Sequence, residues 1–204
     1  MAPMARSFLV AAALGAGVAG TPHAEEPGLT RAREIASGRC FLCHGTGGEN
    51  ATELFARLSG QHPEYLAKQL TDFRDGRRKG GGMEQLAADL KDDEIRWLGI
   101  YFSTQKAAPF PATDRLLAST GRSLYEFGSP NAGVNACITC HGANGRGAGL
   151  VPRLAGQLPA YTMGQLKQFA RSGRSEDALP IHLIAGKLSE VQIKGLAEYL
   201  GELE

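Results

Sequence analysis

One short cysteine motif occurs twice, and its repetition constrains this chain more than any other feature. Cys40-Phe41-Leu42-Cys43-His44-Gly45 returns as Cys137-Ile138-Thr139-Cys140-His141-Gly142, an offset of 97 residues. The two copies use all four cysteines, so none is left for an independent bridge. Cys-x-x-Cys-His is the attachment signature of c-type haem: the thiols add to the porphyrin vinyl groups and the adjacent imidazole faces the iron. Three other readings compete. One zinc held by four thiolates would leave His44 and His141 unexplained and would make two separate domains share a metal. Disulfides suit an exported chain, and a thioredoxin-like redox pair needs a βαβ context, whereas no convincing strand run is present. The duplicated motif therefore predicts two covalently bound haem c groups, held by Cys40, Cys43, Cys137 and Cys140, with His44 and His141 as axial iron ligands.

The duplication extends well beyond the cysteines. Arg57-Leu58-Ser59-Gly60-Gln61 recurs as Arg153-Leu154-Ala155-Gly156-Gln157, and Tyr65 and Gln69-Leu70 are answered by Tyr161 and Gln165-Leu166, all at an offset of 96. Leu90, Ile95, Leu98 and Tyr101 return as Leu188, Ile193, Leu196 and Tyr199 at 98. A period this long marks a small domain written twice, not a solenoid. Each copy reads as helical. Pro63 and Pro159 can occupy the first turn of a helix, and Leu66, Leu70 and Phe73 then form one apolar face. The closing helices carry Ile95, Leu98 and Phe102, or Ile193, Leu196 and Leu200, and Ser189 with Gln192 forms a capping box. Between the copies, Pro109 and Pro111 among small residues interrupt any helix. The predicted organisation is all-α: a first domain over residues 25–105, a linker over 106–117 and a second domain over 118–204. Units of this size bury little core unaided, so a large cofactor is expected to fill the interior.

Residues 1–24 read as a cleaved signal peptide. Arg6 precedes an uncharged run rich in Ala, Leu, Val and Gly that is too short to span a bilayer. Ala24 is the favoured cleavage position, with Ala19 and Gly20 as alternatives. Export places the mature chain in the periplasm. Lys plus Arg is 22 against 21 acidic residues, which gives no electrostatic basis for a nucleic-acid partner.

A haem iron that only carries electrons needs a sixth ligand. In the first copy Met83 follows Gly80-Gly81-Gly82, and the glycines suggest close approach to something large; Met83 is the predicted ligand. The second copy departs from this pattern, because the residue matching Met83 is Ile181, which has no donor atom. His182 is next, and its coordination would lower the potential of that haem relative to the first. An open site, or Met163 or Lys187 from further away, are the alternatives. His62 is matched by Leu158 and reads as a surface residue.

These motifs, with Gln69-Leu70-x-x-Phe73, Gln165-Leu166-x-x-Phe169 and Ile184-Ala185-x-Lys187-Leu188-Ser189, resemble the cytochrome c4 family over roughly residues 30 to 204. The resemblance implies two class I cytochrome c domains in tandem. It implies that each proximal histidine bonds a backbone carbonyl in the following loop, commonly from proline. Pro152 matches that position and Ala56 stands at its counterpart. Ile181 breaks the family's methionine ligation at the second haem. The implied function is one-electron transport between a membrane quinol-oxidising complex or another donor and a terminal oxidase, with peripheral membrane association among the options. Two alternatives are a haem subunit of a periplasmic dehydrogenase, and a peroxidase-like enzyme or sensor with an open second haem. Gly142-Ala143-Asn144-Gly145-Arg146-Gly147 follows no strand and is a weak phosphate-loop match.

Overall fold

The computed structural model describes residues 26–49, 52–174, 176 and 181–204; the signal-peptide reading and its cleavage site lie outside them. Proline opens the first helix, α1 (Pro27–Ile35), where a missing N–H costs nothing. A π-helical turn, Ala36–Cys40, runs on from it into a short helix, α2 (Phe41–His44). Then come α3 (Pro63–Arg74), α4 (Met83–Ala87) and α5 (Asp92–Ser103). The second copy repeats the series as α6 (Arg115–Phe127), α7 (Ile138–His141), α8 (Pro159–Ala170), α9 (Ile181–Ala185) and α10 (Glu190–Glu202). Among the described residues the only β-type pairings are two isolated bridges, Ser129 with Val134 and Ala148 with Val151. The fold is all-α, as the sequence predicts.

The apolar stripes meet as their spacing requires. Leu66, Phe73, Ile95, Leu98 and Phe102 are buried in one core, and Leu70 packs partly buried against it. Tyr125, Leu196, Tyr199 and Leu200 form the second core, with Leu154, Leu166 and Ile184 at its edge. Ser189 accepts from the Gln192 amide and Gln192 answers at the Ser189 N–H, so the capping box forms. The linker is shorter than the sequence suggests. Asp114 accepts hydrogen bonds from the amides of Leu116 and Leu117 and starts α6 at Arg115, inside the segment read as linker. The rest of the linker lies along α10: the Phe110 amide donates to the Gly201 carbonyl, and Thr113 bonds Glu198.

In each copy the first and last helices pack closely, but by different means. A side chain on Gly28 would overlap the Trp97 indole, whereas a Cβ on Gly121 would lie 1.9 Å from the Gly195 carbonyl oxygen. Backbone cannot rotate away as a side chain can. Gly121→Ala is therefore expected to force α6 and α10 apart and to lower the unfolding free energy by about 2 kcal/mol. Urea denaturation checks this, and an unchanged midpoint would show that the crossing tolerates more separation than the geometry indicates.

The Arg-Leu-x-Gly-Gln repeat joins the two copies with approximate two-fold symmetry. Gln61 accepts from the Arg153 amide at 2.8 Å and donates to the Arg153 carbonyl at 2.8 Å. Gln157 makes the equivalent pair with Arg57, at 2.9 and 3.0 Å. His62 also reaches this seam and is not a plain surface residue: its Nε2–H donates to the Arg146 carbonyl at 2.6 Å.

Candidate functional site

The two cysteine motifs fold alike. Each ends on a glycine with φ of 74°, Gly45 or Gly142, whose amide closes the short helix onto the carbonyl of Phe41 or Ile138. A side-chain-bearing residue adopts that φ with difficulty, so glycine after His44 and His141 lets the chain leave the helix while both thiols and the imidazole share one turn. The approaches differ. The first motif is fed through the continuous helix of α1 and its π-turn. The second follows a tight reversal, Ser129 to Val134, containing the 3₁₀ turn Pro130–Ala132.

Both histidines are held by main-chain acceptors. His44 Nδ1–H donates to the Ala56 carbonyl at 2.8 Å, and His141 Nδ1–H to the Pro152 carbonyl at 3.0 Å. Because the acceptor is backbone, alanine serves at 56 as proline does at 152. Burial lowers the pKa of each imidazole against an opposing effect of that hydrogen bond. The neutral tautomer so fixed leaves the Nε2 lone pair for a metal.

No disulfide joins any of the four cysteines, which leaves each sulfur available for thioether formation. Among the described residues no three His, Cys, Asp or Glu side chains gather as a metal site, so the shared four-thiolate zinc site does not assemble. The donor set fits haem c in both halves: two unpaired cysteine sulfurs for thioether formation beside one preset imidazole.

The sixth-ligand candidates lie on the short helices. Met83 is the first residue of α4, half-buried, and packs against the same core as Cys40. The preceding glycines have φ of 125°, 71° and 76°, and a Cβ on any of them would meet nothing within 4 Å. All three therefore hold left-handed backbone that a side-chain-bearing residue adopts with difficulty, and their Cα faces are clear of other protein atoms. Ile181 opens α9 as Met83 opens α4. His182, one residue on, sits about 100° round the helix from it, with its ring edge-on to Phe169 at 5.4 Å. It is the only residue of α9 with a donor suited to iron. Lys187 instead donates to the Gly133 carbonyl at 2.9 Å, and Met163 stands half-buried inside α8.

A second symmetric cluster escaped the sequence reading. Arg78 and Arg174 are buried at the seam, each stacked on its own domain's phenylalanine, Phe73 at 4.5 Å and Phe169 at 4.2 Å. Each guanidinium donates to Gln69 and to Gln165, one from each domain. The offset of 96 that aligns Gln69 with Gln165 also aligns these arginines, so the repeat held the signal.

Residues 27–102 and 118–200 each match the family model described as cytochrome C oxidase, cbb3-type, subunit III. Cytochrome c4 of Thiocapsa roseopersicina is 39% identical over 188 residues, covering 89% of this chain and 95% of that protein. A thiosulfate dehydrogenase electron acceptor of Thiomonas intermedia is 35% identical over 166 residues, covering 79% and 76%. The crystal structure of reduced cytochrome c4 from Pseudomonas stutzeri superposes with a TM-score of 0.79 at 34% identity, over 85% of this chain and 98% of that one. Duplicated fold, duplicated haem-attachment motif and relatives along nearly the whole length agree: the chain belongs to the cytochrome c4 family of di-haem electron-transfer cytochromes.

Proposed function

We propose that this protein is a periplasmic relay in which one electron at a time passes between two covalently held haems of unequal potential. Cys40 and Cys43, and Cys137 and Cys140, form the thioether links, with His44 and His141 as proximal ligands. Met83 would complete the first iron and His182 the second. The haem irons supply the one-electron couple. The observation that carries the assignment is the pair of hydrogen bonds from the histidine Nδ1 atoms to the Ala56 and Pro152 carbonyls, which orient both imidazoles and keep Nε2 unprotonated. Orientation matters because a ligand that stays in place through oxidation and reduction leaves little to reorganise at each transfer.

Unequal ligation supplies direction. A methionine sulfur raises the potential of a haem relative to a second imidazole, so ligation by Met83 in one half and His182 in the other would set the two potentials apart. Spectroelectrochemical titration is expected to resolve two steps. Electron paramagnetic resonance of the ferric protein should show two low-spin species, and His182→Ala should change only the second. If that signal stays as it was, His182 is not the ligand. A subunit role is a second reading, favoured by the likeness to the thiosulfate dehydrogenase electron acceptor. Native purification that retains a second, dehydrogenase polypeptide would decide for it. Among the described residues no helix is long and apolar enough to cross a membrane.

A further inference from the structure

The two domains hold their short α4 and α9 helices by different chemistry. Arg39, the residue before Cys40, extends its guanidinium across to the end of α4. Nη1 donates to the Leu86 carbonyl at 2.9 Å and to Asp89 Oδ1 at 2.6 Å, while Nη2 donates to Asp89 Oδ2 at 3.1 Å. The fork therefore takes both carboxylate oxygens and one of the carbonyls that the helix end leaves without an internal partner. It spans 50 residues of sequence and ties the segment carrying Met83 to the segment carrying Cys40, Cys43 and His44.

Among the described residues the second domain has no such fork. At the offset of 97 Arg39 is replaced by Ala136, and at 98 Asp89 is replaced by Lys187. The tie is remade with the donor on the other side, as a single bond from the Lys187 ammonium to the Gly133 carbonyl. A flexible ammonium bonding one carbonyl restrains direction less than a planar fork engaging three oxygens.

We infer that Arg39 is a positioning residue for the sixth side of the first haem: it locks α4 against the attachment turn and so keeps Met83 on the iron, a restraint that Ala136 and Lys187, at the answering positions of the second domain, cannot form. This rests on the ligand role assigned to Met83. Displacing Met83 from iron requires α4 to move away from the attachment turn, and the Arg39 fork opposes that movement. Arg39 is partly exposed and Asp89 largely so, and the effect is modest. Its sign is fixed, and it is confined to one haem.

The test is imidazole binding to the purified ferric di-haem protein. Loss of the long-wavelength sulfur-to-iron charge-transfer band follows the first haem, and paramagnetic resonance follows the second. Arg39→Ala is expected to tighten imidazole binding at the first haem about fivefold, with the second haem unchanged. Asp89→Asn should give a smaller increase, because the bond to the Leu86 carbonyl survives, and Arg39→Lys an intermediate one. If Arg39→Ala keeps wild-type affinity at the first haem, or shifts both haems equally, the positioning role is overturned while Met83 stands. If the wild-type protein lacks the sulfur-to-iron band, the ligand assignment fails, and the proposal with it.

Discussion

A Cys40→Ala/Cys43→Ala chain, matured in cells with haem-attachment machinery, is expected to carry one covalent haem where the wild-type chain carries two. Intact-mass spectrometry measures this directly. The thioethers hold the cofactor and the His44–Ala56 bond only aims the ring, so an alanine pair leaves the first iron with ligands but without a tether. Haem held by axial bonds alone is then lost during purification. The matching pair at Cys137 and Cys140 should remove the other haem and leave the first spectrum intact, since the motifs sit in separate cores. Two haems surviving in either variant would end the covalent assignment. Domain stability should fall with haem content. The cores are small, and residues such as Leu58, Leu70, Leu154 and Leu166 are only partly buried by the chain itself.

Glu176→Gln is expected to cost about 3 kcal/mol of unfolding free energy, measured by guanidinium denaturation followed through the Soret band. Glu176 has a fully buried side chain and holds Arg174 through Oε1, at 2.6 Å to Nη2 and 2.8 Å to Nε; Arg78 Nε lies 3.7 Å away in the other domain. Its backbone carbonyl accepts from Lys68, also of the first domain. The position answering it in the first copy is Gly80, so the seam's two-fold pattern is closed by one carboxylate supplied from one side. Replacing it with a neutral amide leaves two desolvated guanidinium groups beside Gln69 and Gln165, which can accept hydrogen bonds but carry no charge. Replacing Arg174 with Met and Glu176 with Leu together should cost less than Glu176→Gln alone, because the most buried guanidinium leaves with its partner. A loss under about 1 kcal/mol for the single variant would show that the seam draws little on this ion pair.

Much of this molecule was legible because its chemistry is local. Cysteine, cysteine and histidine within five residues must share a helical turn wherever that turn sits, and the stripes of α3, α5, α8 and α10 follow from a period of 3.6. Capping was equally local, at Ser189 with Gln192. The linker boundary failed for a similar reason in reverse: Asp114 is an N-cap with nothing before it but proline-broken chain, and the prolines masked its signal. The glycines before Met83 were singled out by their spacing, but their left-handed backbone was not, since sequence does not show which glycines need φ above zero.

What the sequence determined by itself is the duplication, the helical class and two sites for covalent haem, because each depends on residues within one or two turns of each other. Only the tertiary structure decided that the Arg-Leu-x-Gly-Gln repeat faces its own copy, that Ala56 does the work of Pro152, and that Arg78, Arg174 and Glu176 meet. These are contacts between groups about a hundred residues apart or through backbone atoms that every residue possesses. Side-chain identity cannot announce a main-chain acceptor, and a repeat shows that two segments are alike without showing that they touch.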